Sequence, residues 1–353
     1  MFLIIIYSLI LILYGTIVIL IPGIGFAGIF QNKKIVQEPP LHISIVVPFR
    51  NEAQHLEELC RSINRLNHPR DHFQVLFVDD YSDDDCLSIL SILDEDVNYN
   101  LIQNPSHLGK KRSLQIGLES ALYNWIFTTD ADCIIPRNIF DGVSSNVDLS
   151  LGVALKTTET WRGIENIQEA ESLLLAGITI GSAKMEIPML ASGANLLYRK
   201  EIMEELNPYE DNLDLNSGDD MFLLRSALKQ NYRIDVRTQQ PTHTVCEKSW
   251  DDYISQSARW AGKNDRVGLI QTNIAAWLVL LANLILPLSL ITHFSFGWIM
   301  LMIKFVLDFL FLFLTALHFE RFKVIIYAPV IFCFYPIHLL RVVIKIVNNK
   351  KKA

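Results

Sequence analysis

Two pairs of acidic residues have the spacing of groups that hold a cation or move a proton. Asp130 and Asp132 form an acid-x-acid turn directly after an apolar run, and Asp219 and Asp220 open a helical pattern. Two carboxylates at a strand end can bind one divalent cation, Mg or Mn, and leave its other positions for phosphate oxygens. A further carboxylate can serve as a general base. Each pair alone could instead cap a turn or a helix N-terminus, so this chemistry needs support from other residues.

A third group of residues has the spacing of one helix face. Gln256, Arg259 and Trp260 stand at positions i, i+3 and i+4, so their side chains can meet a single ligand. Arg259 suits a diphosphate because its guanidinium is charged and bidentate. Trp260 could stack on an acceptor sugar or lipid. The alternative is a plain amphipathic packing face.

The segments around the first acids predict the sheet that positions them. Short apolar runs alternate with helical patterns, which is typical of a mostly parallel, doubly wound α/β sheet with flanking helices. Predicted strands cover 42–48, 73–78, 99–103 and 125–129, and predicted helices cover 52–66, 87–93 and 110–123. In such sheets, ligands bind beyond the carboxyl ends of the strands. We therefore expect the loops that carry Glu52, Asp80 and Asp130 to form one polar cleft.

The following part of the chain is less regular. Strands are predicted at 148–157 and 232–236, and helices at 165–180, 218–230 and 249–263. The last of these helices is amphipathic and leads toward an apolar region. Trp161 and His243 are interpreted as packing residues, since nothing in their spacing requires another role.

The composition indicates a membrane protein with a soluble central domain. The chain has 353 residues, of which 50% are apolar and 20% charged, with a mean hydropathy of +0.26. Residues 33–272 hold 23 Lys and Arg against 36 Asp and Glu. So acidic a region would repel a phosphate polymer, which argues against nucleic acid as a partner. The five cysteines show no CxxC spacing, so neither a zinc site nor a disulfide framework is indicated.

The apolar residues divide the chain into three parts. Residues 1–32 carry no charge and are long enough for a transmembrane anchor, residues 40–266 form the expected α/β domain, and residues 272–349 form the C-terminal membrane segments. Lys33 and Lys34 follow the anchor, so the positive-inside bias puts the central domain in the cytoplasm and the N-terminus outside. The prediction is an integral, multi-pass membrane protein.

The C-terminal region contains three apolar stretches, 274–292, 294–317 and 324–347. Three full crossings would leave the basic end at 350–352 outside, against the same charge bias. Pro329 and Pro336 interrupt the last stretch, which fits a re-entrant hairpin running into an interfacial basic helix. A kinked full span stays open as the alternative.

Two opposite charges lie inside the second of these stretches. Lys304 and Asp308 are four residues apart, one helical turn. Charges within a membrane segment are a functional hypothesis, because their burial is costly. The alternative is an i,i+4 pair that neutralises itself within a helix bundle.

The motifs taken together resemble the family 2 glycosyltransferases, in particular the membrane-bound branch that contains cellulose and hyaluronan synthases and ceramide glucosyltransferase. The resemblance covers about residues 42–265. It rests on an ordered set of segments: VPFRNE from Val47, FVDDYSDD from Phe77, GKKRSLQIGL from Gly109, TTDADC from Thr128, SGAN from Ser192, GDDMFLLR from Gly218 and QSARW from Gln256. The order of a DxD, a later acidic pair and QxxRW is specific. The implied fold is GT-A, a Rossmann-like α/β fold.

The resemblance implies a role for each matching position. Asp80 matches the acid that contacts the uracil ring of a UDP-sugar, Asp130 the acid near the ribose, and Asp132 the ligand of Mg or Mn. The alternative for Asp80 is a turn-capping role, which Asp79 fits better. The implied nucleotide-sugar contacts are Pro48, Arg50, Glu52, Asp80, Lys110, Asp130, Gln256, Arg259 and Trp260.

Asp220 matches the catalytic base of the family's acidic-pair motif. The motif is more often Glu-Asp, and here it is Asp-Asp, so the departure concerns Asp219 more than Asp220. Gly193 and Asn195 resemble the acceptor-side loop, to which Asp219 also belongs. The implied reaction is an inverting transfer, in which one base takes the proton of the acceptor hydroxyl.

The sequence thus predicts a metal-dependent, inverting glycosyltransferase that uses a nucleotide diphosphate sugar, with UDP-sugar first. A lipid-linked or membrane-proximal acceptor is favoured, because the site lies next to membrane segments. A processive polysaccharide synthase and a nucleotidyltransferase of lipid or cell-envelope synthesis remain as alternatives. A non-catalytic scaffold is disfavoured, since the base and metal-ligand positions are both filled.

Overall fold

The computed structural model describes residues 1–29, 39–160, 163–210, 212–213, 215 and 217–350. The expectations that concern Lys33, Lys34, Trp161 and residues 351–352 lie outside these residues. The chain divides into two compact units. The sheet unit comprises residues 33–155 and 191–245, and the membrane-helix unit comprises residues 1–32, 156–190 and 246–353. Residues 156–190 and 246–266, which the sequence assigns to the α/β domain, therefore group with the apolar termini.

The sheet unit is built on two strands that are buried along their whole length. Its strands are β1 (Ile43–Phe49), β2 (Phe73–Asp79), β3 (Tyr99–Gln103), β4 (Trp125–Thr128), β5 (Cys133–Ile134), β6 (Leu149–Leu151), β7 (Ala154–Lys156), β8 (Leu196–Arg199), β9 (Ile234–Val236) and β10 (Thr242–Thr244). Its helices are α3 (Ala53–Asn64), α4 (Cys86–Ile89), α5 (Lys110–Glu119), α7 (Lys200–Leu206) and α8 (Asp219–Lys229). Every residue of β1 and β2 is buried. Continuous burial of this kind is expected for parallel strands covered on both faces.

Seven strands form the main sheet, in the order β3-β2-β1-β4-β8-β6-β9. The neighbours of β1 are β2 and β4, both parallel to it. The helix α3 packs on this sheet through Leu56, Leu59, Cys60 and Ile63, which lie on one helical stripe and are fully buried. The predicted α/β class with a mostly parallel sheet is confirmed.

Two details differ from the expected strands. The segment Leu196–Arg199 forms β8, which is antiparallel to both β4 and β6. The sequence predicts no element for this segment, because four residues carry too little periodicity to mark a strand. The single strand expected over 148–157 is instead two short strands, β6 and β7, separated at Gly152, where a Cβ atom would lie 2.2 Å from Asn195 Oδ1.

Among its described residues, the membrane-helix unit has four helices that are long and apolar enough to cross a membrane: Phe2–Gly28, Ile270–Thr292, Phe294–His318 and Phe322–Asn349. Its α-helices are α1 (Phe2–Tyr14), α2 (Ile21–Gly28), α6 (Gly163–Lys184), α9 (Trp250–Gly262), α10 (Asn264–Val267), α11 (Ile270–Leu284), α12 (Ser289–Thr292), α13 (Phe294–His318) and α14 (Ala328–Lys350). A π-helical stretch, Gly15–Leu20, joins α1 to α2. Pro22 follows it and lacks the N–H for a normal helical hydrogen bond, which explains the local change of pitch.

The helix α6 crosses α2 at a point where both helices have a glycine, and therefore no side chain. A Cβ atom on Gly181 would lie 1.8 Å from the carbonyl oxygen of Pro22, and one on Gly25 would lie 2.1 Å from the carbonyl oxygen of Gly181. Small residues at such a crossing let two helices pack at backbone distance. The first helix of the chain is thereby fixed to α6.

The charged pair inside α13 forms a closed polar cluster. The ammonium of Lys304, which is 3% exposed, lies 2.6 Å from Asp308 Oδ2. The hydroxyl of Tyr14 donates to Asp308 Oδ1 at 2.6 Å. The Lys304 ammonium also lies 5.2 Å from the ring centre of Tyr14 and 5.1 Å from that of Phe332. The charges therefore compensate each other inside the bundle.

The last apolar stretch is not the hairpin that its two prolines suggested. Residues Phe322–Tyr327 form a 3-10 turn, and Ala328–Lys350 form one continuous helix. Pro329 lies in the first turn of α14, where a backbone N–H would have no acceptor within the helix, so its absence costs nothing. Pro336 lies inside the helix and removes one hydrogen bond without ending it.

The helix crossing gives a first testable prediction. Gly181→Ala should lower the melting temperature of the detergent-solubilised protein, because overpacking against a backbone carbonyl costs about 1–3 kcal/mol. Gly28→Ala is the matched control, since a Cβ atom there meets nothing within 4 Å. Equal melting temperatures for the two variants would contradict the close crossing.

Candidate active site

The strand order brings three polar loops to one edge of the sheet. Because β2, β1 and β4 are adjacent and parallel, their carboxyl ends lie side by side. The backbone continues this pairing past the strands: Asp80 N–H donates to the carbonyl of Phe49 at 2.8 Å, and Thr129 N–H donates to that of Val46 at 3.4 Å. The acids that follow the strands are therefore held close to one another.

The loops after β1 and β2 are tied to each other by short side chains. Asn51, which has a φ of 57°, donates its N–H to the Ser82 hydroxyl at 3.0 Å and accepts from Asp83 N–H at 3.0 Å. Asp79 accepts a hydrogen bond from the N–H of Ser82 at 2.9 Å, which is a turn-capping contact. Of the predicted base-binding residues of the first loop, Pro48 is buried within β1, Arg50 is exposed and Glu52 is half-buried.

Asp80 is buried and surrounded by hydrogen-bond donors. Its carboxylate accepts from Asn104 Nδ2 at 3.0 Å, from the N–H of Leu108 at 2.8 Å and from the N–H of Gly109 at 2.9 Å, and it contacts His107 Nδ1 at 2.6 Å. Burial raises the pKa of Asp80, but these hydrogen bonds outweigh it and hold the pKa below its ordinary value. Asp80 therefore organises the loop that leads into α5, and its contact with the base stays a prediction.

Lys110 links the DxD turn to the later acidic pair. It follows Gly109, whose φ of 89° favours glycine, and its ammonium lies 2.6 Å from Asp130 Oδ1 and 3.5 Å from Asp219 Oδ2. Burial lowers the pKa of Lys110, but the charges of Asp130 and Asp219 overcome this and raise the pKa above its ordinary value. Lys110 is therefore a fixed positive charge between two acidic motifs that are almost ninety residues apart in sequence.

The carboxylates around the DxD turn repel one another. Burial raises the pKa of Glu52 above its ordinary value, and the nearby charges of Asp132 and Asp130 add to this against an opposing hydrogen bond with His55. Burial likewise raises the pKa of Asp130; Lys110 opposes the shift, and Asp132 reinforces it. Such a concentration of negative charge is stabilised by a cation.

The residues of the DxD turn suit a hard divalent cation. The side chain of Asp132 is only partly exposed, and its Oδ2 accepts a hydrogen bond from the Thr244 hydroxyl at 2.9 Å, which orients the carboxylate. Within the described part of the chain, no group of three or more His, Cys, Asp or Glu side chains is placed to hold a metal ion. The DxD turn offers carboxylate oxygens, which are ligands that Mg and Mn prefer.

Asp220 stands at the start of α8 beside the Gly193 loop. One of its oxygens accepts from the N–H of Gly193 at 3.2 Å and the other from the N–H of Met221 at 2.7 Å. Its neighbour Asp219 is buried, whereas Asp220 is half-buried. A Cβ atom on Gly193 would lie 2.7 Å from Asp219 Oδ2. The absence of a side chain at Gly193 therefore lets this loop reach both acids.

Asn195 has a different environment from the other predicted residues. It is 1% exposed, donates to the carbonyl of Val153 at 2.9 Å and accepts from Arg237 Nη2 at 2.5 Å. Burial lowers the pKa of Arg237 to about 9, although the nearby Asp235 acts in the opposite direction. The Asn195 side chain thus supports the loop from within the unit.

Several residues of this cluster carry no signal in the sequence. Asn104, His107 and Thr244 hold the acids through single hydrogen bonds, and such residue types are common in loops. Lys111 is 3% exposed and donates to both the carbonyl and the side chain of Asn212 at 2.6 Å. The only available signal for Lys111 was its place beside Lys110 in the GKKR segment.

The QxxRW residues belong to the membrane-helix unit, on α9. Gln256 accepts from the Lys156 ammonium at 2.5 Å and donates to Glu247 at 2.8 Å. That ammonium lies 5.6 Å from the ring centre of Trp260, whose side chain is 40% exposed, while Arg259 is exposed. Gln256 therefore anchors the helix face, and Arg259 and Trp260 are left accessible for a ligand.

The environment of Asp80 leads to a second prediction. Asp80→Asn places an NH2 group against donors, so hydrogen exchange at Leu108 and Gly109 should accelerate, with a loss of about 1–3 kcal/mol of local stability. Asp79→Asn is the control, because its amide oxygen can still accept from Ser82. Hydrogen–deuterium exchange read by mass spectrometry gives the comparison, and unchanged protection in Asp80→Asn would contradict the assigned role.

Comparison with known proteins identifies the central region. Residues 44–206 match the profile of Glycosyl transferase family 2. This stretch runs from β1 to the end of α7 and includes the DxD turn and the Gly193 loop. This central region is therefore similar to family 2 glycosyltransferases.

Individual relatives are distant in sequence. Glycosyltransferase AglE of Haloferax volcanii is 20% identical over 205 residues, which are 54% of this chain and 63% of AglE. Mannosyltransferase PcManGT of Pyrobaculum calidifontis, solved with GDP-Man and Mn2+, has a TM-score of 0.61 at 18% identity and covers 98% of this chain and 99% of its own. S. aureus TarS 1-349, solved with UDP-GlcNAc, reaches only 0.45 at 17% identity, over 84% and 91% of the two chains. At such identities the likeness to PcManGT shows the fold alone, which is GT-A-like.

Proposed function

We propose that this chain is a membrane-anchored, inverting glycosyltransferase of family 2. It transfers a sugar from a nucleotide diphosphate sugar to a lipid-linked or membrane-proximal acceptor. The observation that carries the proposal is the Lys110 ammonium, which lies 2.6 Å from Asp130 of the DxD turn and 3.5 Å from Asp219 of the acidic pair. The residues for leaving-group stabilisation and for proton removal are thereby joined in one cluster.

The donor pocket in this proposal lies along the edge formed by the loops after β1, β2 and β4. Lys110 supplies a positive charge for the diphosphate, since its own charge is secured by its two acidic neighbours. The Asp80 loop and the half-buried Glu52 border the place for the base and ribose. The sequence resemblance implies uridine, whereas the neighbour PcManGT was solved with GDP-Man, so both bases belong in the tests.

Mg or Mn would be held by Asp132 and would supply charge stabilisation for the departing diphosphate. The chain's own residues perform the remaining work. Thr244 fixes the orientation of the Asp132 carboxylate through a 2.9 Å hydrogen bond, and the Lys110 ammonium donates a hydrogen bond to Asp130. No general acid is needed, because a nucleoside diphosphate is a stable leaving group once its charge is compensated.

Asp220 is the proposed general base. In an inverting transfer, the acceptor oxygen attacks the anomeric carbon from the face opposite the nucleotide, the bond to the phosphate oxygen breaks, and a carboxylate takes the hydroxyl proton. Gly193 N–H and Met221 N–H fix the Asp220 carboxylate, while its partial exposure leaves it accessible to the acceptor. Asp219 is a positioning residue, because its buried carboxylate faces Lys110.

The acceptor class follows from the membrane context. Four helices of the chain are long and apolar enough to cross a bilayer, and the QxxRW helix α9 leads into the second of them through α10. A hydroxyl or phosphate carried by a lipid would meet the enzyme where α9 and α10 lead into this membrane helix. We propose a cytoplasmic location for the active site, in line with the lysines that follow the first helix.

Metal-dependent nucleotide binding gives a third prediction. The purified protein should bind UDP or GDP only in the presence of Mg or Mn, as measured by isothermal titration calorimetry. Asp132→Ala should lose at least about tenfold in nucleotide affinity, since metal sites depend on such ligands. Asp141→Ala is the control, because Asp141 is an exposed acid of the same unit. Binding that is insensitive both to chelation and to Asp132→Ala would refute the assigned metal role.

The reaction itself gives a fourth prediction. Membranes that contain the wild type, incubated with a panel of radiolabelled UDP- and GDP-sugars, should yield a labelled product in the lipid extract. Asp220→Asn should lower the rate by about 10²–10⁴-fold while nucleotide binding persists, since a general base contributes about this much. A fully active Asp220→Asn would remove the proposed base.

The same assay separates the competing functions. Mass spectrometry of the product should show one added sugar, and a ladder of chain lengths would identify a processive polysaccharide synthase. Release of the nucleoside diphosphate is expected, whereas release of pyrophosphate would identify a nucleotidyltransferase.

A further inference from the structure

The last described helix of the chain, α14, is long enough to cross a membrane, but its contacts do not fit a crossing. The apolar stretch Phe322–Asn349 has 28 residues, enough to cross the roughly 30 Å hydrocarbon core of a bilayer. We propose that α14 instead enters only the leaflet that faces α9 and that its second half lies along the membrane surface, with its exposed apolar face in lipid. The end of α14 then stays on the same side of the membrane as α9.

The first part of this stretch is bound to polar backbone. The Lys323 ammonium donates to the carbonyls of Thr158, at 3.4 Å, and Thr160. Just before it, Arg321 Nε donates to Glu169 Oε1 of α6 at 2.5 Å. Glu169 is 1% exposed, so this pair is an interior contact. The start of the stretch is thus fixed to the segment that leads into α6.

The middle of α14 is bound to the same group of elements. The hydroxyl of Tyr335 donates to Glu171 of α6 at 3.0 Å, and the ring of His338 stacks on that of Tyr253 of α9, with centres 4.3 Å apart and planes at 15°. The hydroxyl of Tyr253 in turn donates to Glu171 at 2.5 Å. The helices α6, α9 and α14 therefore meet at this carboxylate.

The far part of α14 packs on α9. The Lys345 ammonium donates to the Ser255 hydroxyl at 2.6 Å, and Val342 forms a buried cluster with Ile254 and Ala258. From Lys323 to Lys345 the chain advances 22 residues, or about 33 Å at about 1.5 Å per helical residue. The partners of both lysines, Thr158 and Ser255, come before the second candidate span in the chain.

The helix α9 cannot lie within hydrocarbon, and this excludes a crossing by α14. Its first turn carries Asp251 and Asp252, which are exposed, and its last turn carries the exposed Arg259. Each such charge costs about 2.5–3.5 kcal/mol at the centre of a bilayer. A crossing would carry the second half of α14 to the opposite face and would draw α9 through the membrane with it.

The free side of α14 has the pattern of a helix at a lipid surface. Six apolar residues of α14, spaced three or four apart, are 39–52% exposed: Val330, Phe334, Ile337, Leu340, Ile344 and Val347. Arg341 and Lys345 line a shallow groove between α14 and α9, together with Asp251, and the sequence ends in three lysines before the final alanine. An apolar stripe flanked by basic residues lies at the boundary of headgroups and acyl chains, and it favours anionic lipids.

Contact with the neighbouring span shows how deep the first half of α14 reaches. Phe332 of α14 packs edge-on against Phe305, near the middle of α13, with ring centres 5.2 Å apart. The first half of α14 therefore touches a membrane helix, and the second half touches α9. Pro336, which lacks the N–H for an interior hydrogen bond, stands between these two contacts. The occupant of the exposed stripe is thus the bilayer that surrounds α13.

The sidedness of single cysteines tests the proposal on the full-length chain. Cys246 and Cys333 are replaced, and one cysteine is placed at Asn349, at Ala261 of α9 or at Ser295 between the two middle spans. A membrane-impermeant maleimide is then added to intact and to permeabilised cells. Asn349→Cys and Ala261→Cys should show the same accessibility, and Ser295→Cys the opposite one.

Two results would overturn the proposal. One is labelling of Asn349→Cys from the same side as Ser295→Cys, which a crossing requires. The other is its failure to react after permeabilisation, which would place it in hydrocarbon. The labelling needs no enzymatic activity, so it is independent of the proposed function.

A depth measurement provides a second test. A nitroxide attached at Ile344→Cys should be more accessible to a water-soluble nickel relaxant than one at Val306→Cys in α13. These residues are matched in exposure, at 51% and 47%. Equal accessibility, with both labels favouring oxygen, would place α14 as deep as a spanning helix and would refute the surface position.

Discussion

The sheet unit depends on one positive charge that is held between carboxylates. Lys110 stands between Asp130 and Asp219, and its ammonium compensates two carboxylates that would otherwise repel each other and their neighbour Asp132. Removal of one partner would leave an uncompensated charge in this partly buried cluster. The elements around it serve its placement: Gly109 supplies the left-handed backbone, and the Asp80 loop fixes Gly109. The parallel strands β1, β2 and β4 hold these loops at one edge.

Much of this arrangement follows from local sequence patterns. The buried strands β1 and β2 are mostly apolar, and the acids directly after β2 and β4 have to emerge at the same edge once the strands are parallel. The stripe of α3 is equally visible, because its apolar residues recur every three or four positions. The carboxylates of Glu52, Asp130 and Asp132 could therefore be expected to lie close together.

Other features depend on contacts that leave no periodic trace. The hydroxyl of Thr244 reaches Asp132 across 112 residues, and Lys111 reaches Asn212 across 101. Strand β8 has only four residues and runs antiparallel, so its identity comes from β4 and β6 on either side of it. The course of α14 was also undecided by hydropathy, since a surface helix and a span have similar apolar content and differ in their polar partners.

The contact between Tyr14 and Asp308 has a consequence for the order in which the protein is made. The two residues are 294 positions apart, and their hydrogen bond lies among apolar helices. At a synthesis rate of about 5–20 residues per second, the first helix waits roughly 15–60 s for its partner. During that interval Tyr14 of the first membrane helix has no contact with α13, which is not yet made. The helix bundle is therefore completed late. If translation stops before α13, the product lacks the hydrogen bond between Tyr14 and Asp308.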